Sequence, residues 1–135
     1  MGQQQLLLIV LGVVLVGIAI IVGINLFAAS ASQSNRDAVT ADLFNLAAKA
    51  RIHYNKPAAL GGGGSFVNFN IPTALLQNSN GTFEHTDTGH KKDHIHFTGI
   101  GTRPGENGVD PITLEVRVTL DEIKLKEVSG STKTK

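Results

Sequence analysis

Four of the chain's five histidines fall in one stretch, "HTDTGHKKDHIH": His85, His90, His94 and His96, with Asp87 and Asp93 among them. His94 and His96 are two residues apart, so on a β-strand both imidazoles leave the same face. Such a pair, completed by His85 or His90, is a donor set for zinc, copper or nickel. A metal held there would stiffen a subunit or join two. Spacing alone does not fix a tetrahedral geometry, and a polar, solvated hairpin face accounts for the same residues. That plainer reading is the one preferred. No Ser/His/Asp order, paired catalytic carboxylates or cofactor motif stands out. The sequence therefore reads as a non-enzyme with no cofactor. The run "LGGGGS" (60–65) lacks the lysine and Ser/Thr of a phosphate-binding loop, which argues against nucleotide binding. Asn80-Gly81-Thr82 is an N-glycosylation sequon, and Asn80-Gly81 is also a turn pair that needs no sugar to explain it.

The elements that would carry these residues are set by a strong asymmetry along the 135-residue chain. Residues 1–35 contain no charged side chain, and all 12 Lys+Arg and all 11 Asp+Glu follow them. The formal net charge of +1 is spread evenly over the rest, so no nucleic-acid-binding patch is indicated. With no cysteine, any domain outside the cell must hold together without disulfides.

From Leu6 to Ala29 the only polar side chain is Asn25. About 24 helical residues rise ~36 Å, enough to cross a ~30 Å hydrocarbon core. The segment is apolar on every face, which rules out an amphipathic surface helix. A cleaved secretory signal would want a basic n-region and a shorter apolar run, although "AASAS" (28–32) resembles a cleavage site. An ordinary anchor would want positive charge near one end. Myristoylation at Gly2 would want Ser or Thr where Leu6 stands. The remaining reading is a helix that crosses the membrane for a time and later packs against copies of itself. Gly12, Gly17 and Gly23 interrupt it without GxxxG spacing. They either admit close neighbours or let the helix stretch locally, or simply reflect how common glycine is in membrane helices.

The helical pattern continues to Pro57. Val39, Leu43, Leu46, Ala47, Ala50 and Tyr54 form one stripe at helical spacing, with Arg36, Asp37, Asp42, Lys49 and Arg51 expected on the opposite side. The "SASQSN" stretch either breaks the helix, with Ser34 or Asn35 as cap, or runs straight through. Beyond Pro57 the glycine run is a loop, and strand-like runs follow at 65–70, after Asn80-Gly81, at 94–101 and at 111–120. In the last of these Ile112, Leu114, Val116, Val118 and Leu120 face one way. Ile123 and Leu125 resume after a bulge or hairpin at Asp121-Glu122, and the tail from Ser129 is expected to be mobile. So small a sheet needs the helix stripe as a lid. The fold class is α+β: an apolar helix (1–30), its amphipathic continuation (31–56), and a small antiparallel sheet of about four strands (57–135).

This layout, with "MGQQQLLLIVLGVVLVGIAIIVGI" at its head, resembles a type IV pilin or pilin-like filament subunit. The resemblance implies a homopolymer, cut by a prepilin peptidase, held in the inner membrane before assembly and then built by pilus machinery into a filament at the cell surface. Gln5, Leu6, Leu7, Leu11, Gly12, Val14, Gly17, Ile18 and Gly23 would then lie in the filament core. Pilins usually carry a lone glutamate near the mature N-terminus. Gln5, or Leu7 if the cut follows Gly2, stands there instead, and a glutamine can accept a hydrogen bond without burying a carboxylate. The basic leader and C-terminal disulfide loop of many pilins are missing. Two alternatives share the same layout: a membrane-anchored surface or periplasmic protein that does not polymerise, and a secretion-system pseudopilin.

Overall fold

A computed structural model describes residues 2–86, 91–105 and 107–128. One α-helix, α1 (Gly2–Asn55), runs unbroken through the "SASQSN" stretch. At 1.5 Å per residue it is ~80 Å long. No proline interrupts it before Pro57, and Asn35 is tolerated because its side chain finds partners off the helix axis. A 3₁₀ turn (Ala58–Leu60), a glycine turn and a four-residue helix, α2 (Thr73–Leu76), lead to the sheet. Gly61, Gly63 and Gly64 take positive φ (86°, 119° and 69°), which is where glycine costs least.

The sheet is antiparallel in the order β1 (Gly81–His85), β2 (His94–Pro104), β3 (Pro111–Thr119) and β4 (Ile123–Glu127). Each strand pairs with its sequence neighbour, so the sheet is a simple meander. One face is apolar: Phe83, Ile95, Phe97, Ile112, Leu114, Val116 and Val118 are buried there. Val39, Leu43, Leu46, Ala47 and Ala50 of α1 cover that face as the predicted stripe, with Tyr54 partly buried at its end.

Helix and sheet approach closely at Gly99. A Cβ on Gly99 would stand 2.8 Å from Val39 Cγ1, 3.1 Å from Phe83 Cε1 and 3.2 Å from Leu43 Cδ1. Phe83 is its cross-strand partner, so the ring and two helix side chains share the volume that a larger residue would take.

Three expectations are corrected. The run 65–70 is not a strand among the described residues. Phe66 and Phe69 are both buried, and a strand would send them to opposite faces. A turn instead brings Phe69 N to Phe66 O at 3.2 Å, with Asn68 at φ 65° between them. Tyr54 then packs at a tilt against Phe66, and Phe97 edge-to-face against Phe69, at ring-centroid separations of 4.9 and 5.8 Å. Leu120 does not face inward either. It is 45% exposed, because β3 ends at Thr119, whose N and Oγ1 both donate to Glu122 O at 2.9 Å and close a hairpin.

The third correction concerns the helix charges. Asp37 and Lys49 are exposed, but the other three do not line a solvent face opposite the stripe. Arg36 pairs with Glu127, Asp42 accepts from Asn78 and Asn80, and Arg51 Nε donates to Thr119 O. Long polar side chains on the flanks of the buried stripe reach the sheet domain beside it, which one-dimensional periodicity does not reveal.

The packing predicts two outcomes. Gly99→Val overfills the crossing and destabilises by ~1–3 kcal/mol. Leu43→Ala, which empties a fully buried site, costs ~2–5 kcal/mol. Urea unfolding of the full chain in mild detergent, followed by tyrosine fluorescence, measures both.

Candidate functional site

The front half of α1 is the feature that the fold leaves unused. Every residue from Gly2 to Ser30 is exposed, including Leu11 at 55%, Val14 at 52% and Phe27 at 76%. By length and composition this segment is able to cross a membrane. Of the residues assigned above to an assembly core, Gln5, Leu6, Leu7, Leu11, Val14 and Ile18 project around the whole circumference. Gly12, Gly17 and Gly23 have open space around them, since a Cβ at any of the three would meet nothing within 4 Å.

A polar clamp at the end of this segment holds it in a fixed direction. The register of β2 against β3 shifts between Ile100 and Pro104, and no β3 residue opposes Thr102 or Arg103. Asn35 fills the gap. Its Oδ1 accepts from Thr102 N at 3.1 Å and Arg103 N at 3.2 Å, and its Nδ2 donates to Asn80 O at 2.8 Å and Thr102 Oγ1 at 3.3 Å. Two turns further on, Asp42 Oδ2 accepts from Asn78 Nδ2 and Asn80 Nδ2, each at 2.8 Å. Gly101 makes room for the first contact, because a Cβ there would lie 2.4 Å from Asn35 Oδ1. Between the clamp and the apolar segment lies a cleft of about 470 Å³ lined by Ala28, Ala29, Ser32, Pro104, Ile112 and the Arg36–Glu127 pair, among others. The sequence reading missed Asn35 as anything but a possible cap. The Gly99-x-Gly101 pattern inside a strand was the available signal, since paired glycines there mark a close approach of backbone.

The histidines are divided by the sheet. His85 lies on the helix-facing side, its ring 5.3 Å from Phe97 and 6.1 Å from Phe69 between centroids. His94 and His96 share the outer face, with ring centroids 5.4 Å apart. His96 Nδ1 donates to Glu115 Oε1 at 2.8 Å, and Arg117 is its cross-strand partner. His90 lies outside the described residues, as does Asp87. Among the described residues no group of three metal-ligating side chains forms, and His85 is not brought to the His94–His96 pair. Asn80, the sequon residue, engages its side-chain nitrogen with Asp42. The mobile tail expected from Ser129 also falls outside the described residues.

The class this geometry defines is a long N-terminal helix seated on a small antiparallel sheet, a shape compatible with a pilin-like fold. No protein-family model matches the chain, and no curated protein or solved structure does either.

The clamp makes a specific prediction. Asn35→Ala removes the bond to Arg103 N and leaves Thr102 N and Asn80 O only the 3.2 Å bond they make to each other, at a cost of ~1–3 kcal/mol. Gly101→Ala expels the same side chain and has a similar effect. Because both act through one contact, the double variant is barely less stable than the worse single one, as read by thermal unfolding of all three.

Proposed function

We propose that this chain is a structural subunit that polymerises through α1 into an extracellular filament of the type IV pilin kind, and that it is inserted in the membrane before assembly. One observation carries the reading: a segment with no charge and an apolar surface on every side is continuous, without a hinge, with a helix clamped into a folded domain. An anchor needs only to stay in lipid and tolerates a loose joint to its domain. A filament needs each subunit to present its packing surface and its coat in one fixed relation, and the Asn35 and Asp42 contacts supply that relation.

On this reading the apolar segment first resides in the inner membrane and then exchanges lipid for the helices of other copies. Both surroundings are apolar, so the exchange carries no penalty for burying charge. The partners are copies of the same chain and, by the pilin resemblance, a prepilin peptidase and an assembly machinery. The role is structural, not enzymatic.

Electron microscopy of material sheared from cells that produce this chain tests the proposal. Uniform thin filaments that contain the chain are expected, and recovery only as detergent-soluble monomers would favour the non-polymerising anchor. Leu11→Lys places an unpaired charge in the core at a cost of several kcal/mol. It abolishes filaments while leaving the unfolding midpoint of the sheet domain unchanged, since Leu11 touches nothing in that domain. Normal filament yield from this variant overturns the core assignment.

A further inference from the structure

We propose that the cleft where α1 leaves the sheet domain binds a membrane phospholipid with a phosphoethanolamine headgroup, its phosphate on Arg36 and its ammonium on Glu127. The inference rests on the membrane stage of the reading above and not on polymerisation.

The cleft is a wedge of about 470 Å³ between two walls, a volume within the range of small-molecule sites. Ala28, Ala29, Ser32 and Arg36 belong to the helix wall, and their spacing keeps them on one side of α1. Pro104, Ile112 and Glu127 belong to the wall of the sheet domain. The two alanines and the serine leave the space that larger side chains would take. Arg36 and Glu127 are the charged residues that line it, and they pair with each other across the wedge. Their side chains keep 42% and 24% of their exposure. Among the described residues the pair is joined by one bond, from Arg36 Nη2 to Glu127 Oε2. A guanidinium has five N–H donors and a carboxylate two acceptor oxygens, so both groups have capacity left for a ligand.

The cleft stands at headgroup depth. When Leu6–Ala29 fills the hydrocarbon core, Ala28 and Ala29 lie at its edge. Ser32 and Arg36 follow Ala29 by three and seven residues, or ~4.5 and ~10 Å along the axis. The headgroup layer on each side of the core is ~5–8 Å thick. Helical side chains lean toward the N-terminus, and a long arginine reaches back along the helix to the interface. A lipid beside α1 therefore brings its headgroup to the cleft and lays its acyl chains along the uncovered apolar segment.

The opposite charges select the headgroup. A phosphate alone gains Arg36 but is repelled by Glu127 beside it. A primary ammonium next to the phosphate removes that conflict: it donates to Glu127 while the phosphate accepts from Arg36, and both bonds are charge-assisted. Phosphatidylglycerol carries the phosphate without the cation. The quaternary ammonium of phosphatidylcholine has no N–H to donate.

Native mass spectrometry of the full-length chain tests this. The chain is released from detergent micelles that hold equal amounts of dioleoyl phosphatidylethanolamine, phosphatidylglycerol and phosphatidylcholine. Phosphatidylethanolamine is expected to stay bound at least about tenfold more than either other lipid, a difference worth ~1.4 kcal/mol. Glu127→Gln brings it down to the level of phosphatidylcholine, and Arg36→Gln lowers retention of all three. Glu122→Gln, in the hairpin at the far end of β3, keeps the wild-type preference. Ala29→Phe fills the cleft with the charged pair in place and abolishes the preference, which covers the case of an unstable Arg36 or Glu127 variant. Equal retention of the three lipids by the wild-type chain overturns the inference, as does a preference that survives Ala29→Phe. Retention that appears only after residues 130–135 are removed identifies the chain's own C-terminal segment as the occupant, and a lipid-free dimer as the main species identifies a second copy; either overturns it. Absence of filaments leaves the inference standing. A chain that does not float with phosphatidylethanolamine-containing vesicles overturns the membrane stage itself.

Discussion

The structure depends on how closely α1 can approach the sheet at Gly99. Val39 and Leu43 occupy the space where a side chain would be, so the helix sits directly on the strands and its small residues, Ala47 and Ala50, continue the fit. A sheet this small has one apolar face, and α1 covers it together with Phe66, Phe69 and Ile71 of the connecting segment. The close approach decides whether the domain folds, and it also fixes how the rest of the helix leaves it. Asn35, one turn before Val39, can reach the β2 backbone only because Gly101 has no side chain there either. Two glycines on one strand thus set the depth and the direction of an ~80 Å helix.

That seating divides the helix into two halves with opposite demands. In residues 35–55 the inner stripe is buried, and Arg36, Asp42 and Arg51 bond to the sheet domain. Residues 2–30 are satisfied by nothing in the chain. Fully burying a Leu, Ile or Val side chain is worth ~1.5–3 kcal/mol relative to water, and this segment exposes many of them. A surface of that size is not sustained in water by a monomer. By length and composition the segment is able to cross a membrane, and the junction at Asn35 fixes its direction relative to the folded domain.

Much of this was legible in the sequence because the relevant signals are local and periodic. The helix stripe from Val39 to Ala50 and the alternation from Ile112 to Val118 each repeat a period that permits one backbone geometry. What was not legible depends on side chains that meet across long sequence separations. Phe66 and Phe69 looked like members of a strand because two-residue alternation and a turn both place apolar residues among polar ones. Only the positions of Tyr54 and Phe97 decide between them. The destinations of Arg36 and Arg51, 91 and 68 residues away, were equally out of reach. His85 and His96 are close in sequence but lie on opposite faces of the sheet, a consequence of register that appears only once β1 and β2 are paired.

The glycines separate what the chain explains from what it does not. Gly81, Gly99 and Gly101 each stand where a Cβ would collide with backbone or core, and the positive φ angles of Gly61, Gly63 and Gly64 explain those three. Gly12, Gly17 and Gly23 have no such reason: their φ is helical and the space beside them is open. Each costs roughly 0.5–1 kcal/mol against alanine in a helix interior, so the fold of a single chain would be firmer without them. All three lie in the half of α1 that the chain leaves uncovered. Whatever offsets their cost therefore acts from outside, through lipid or through neighbouring helices that come closer at a glycine than at any other residue. On the filament reading proposed above, these glycines belong to contacts that a single copy does not contain.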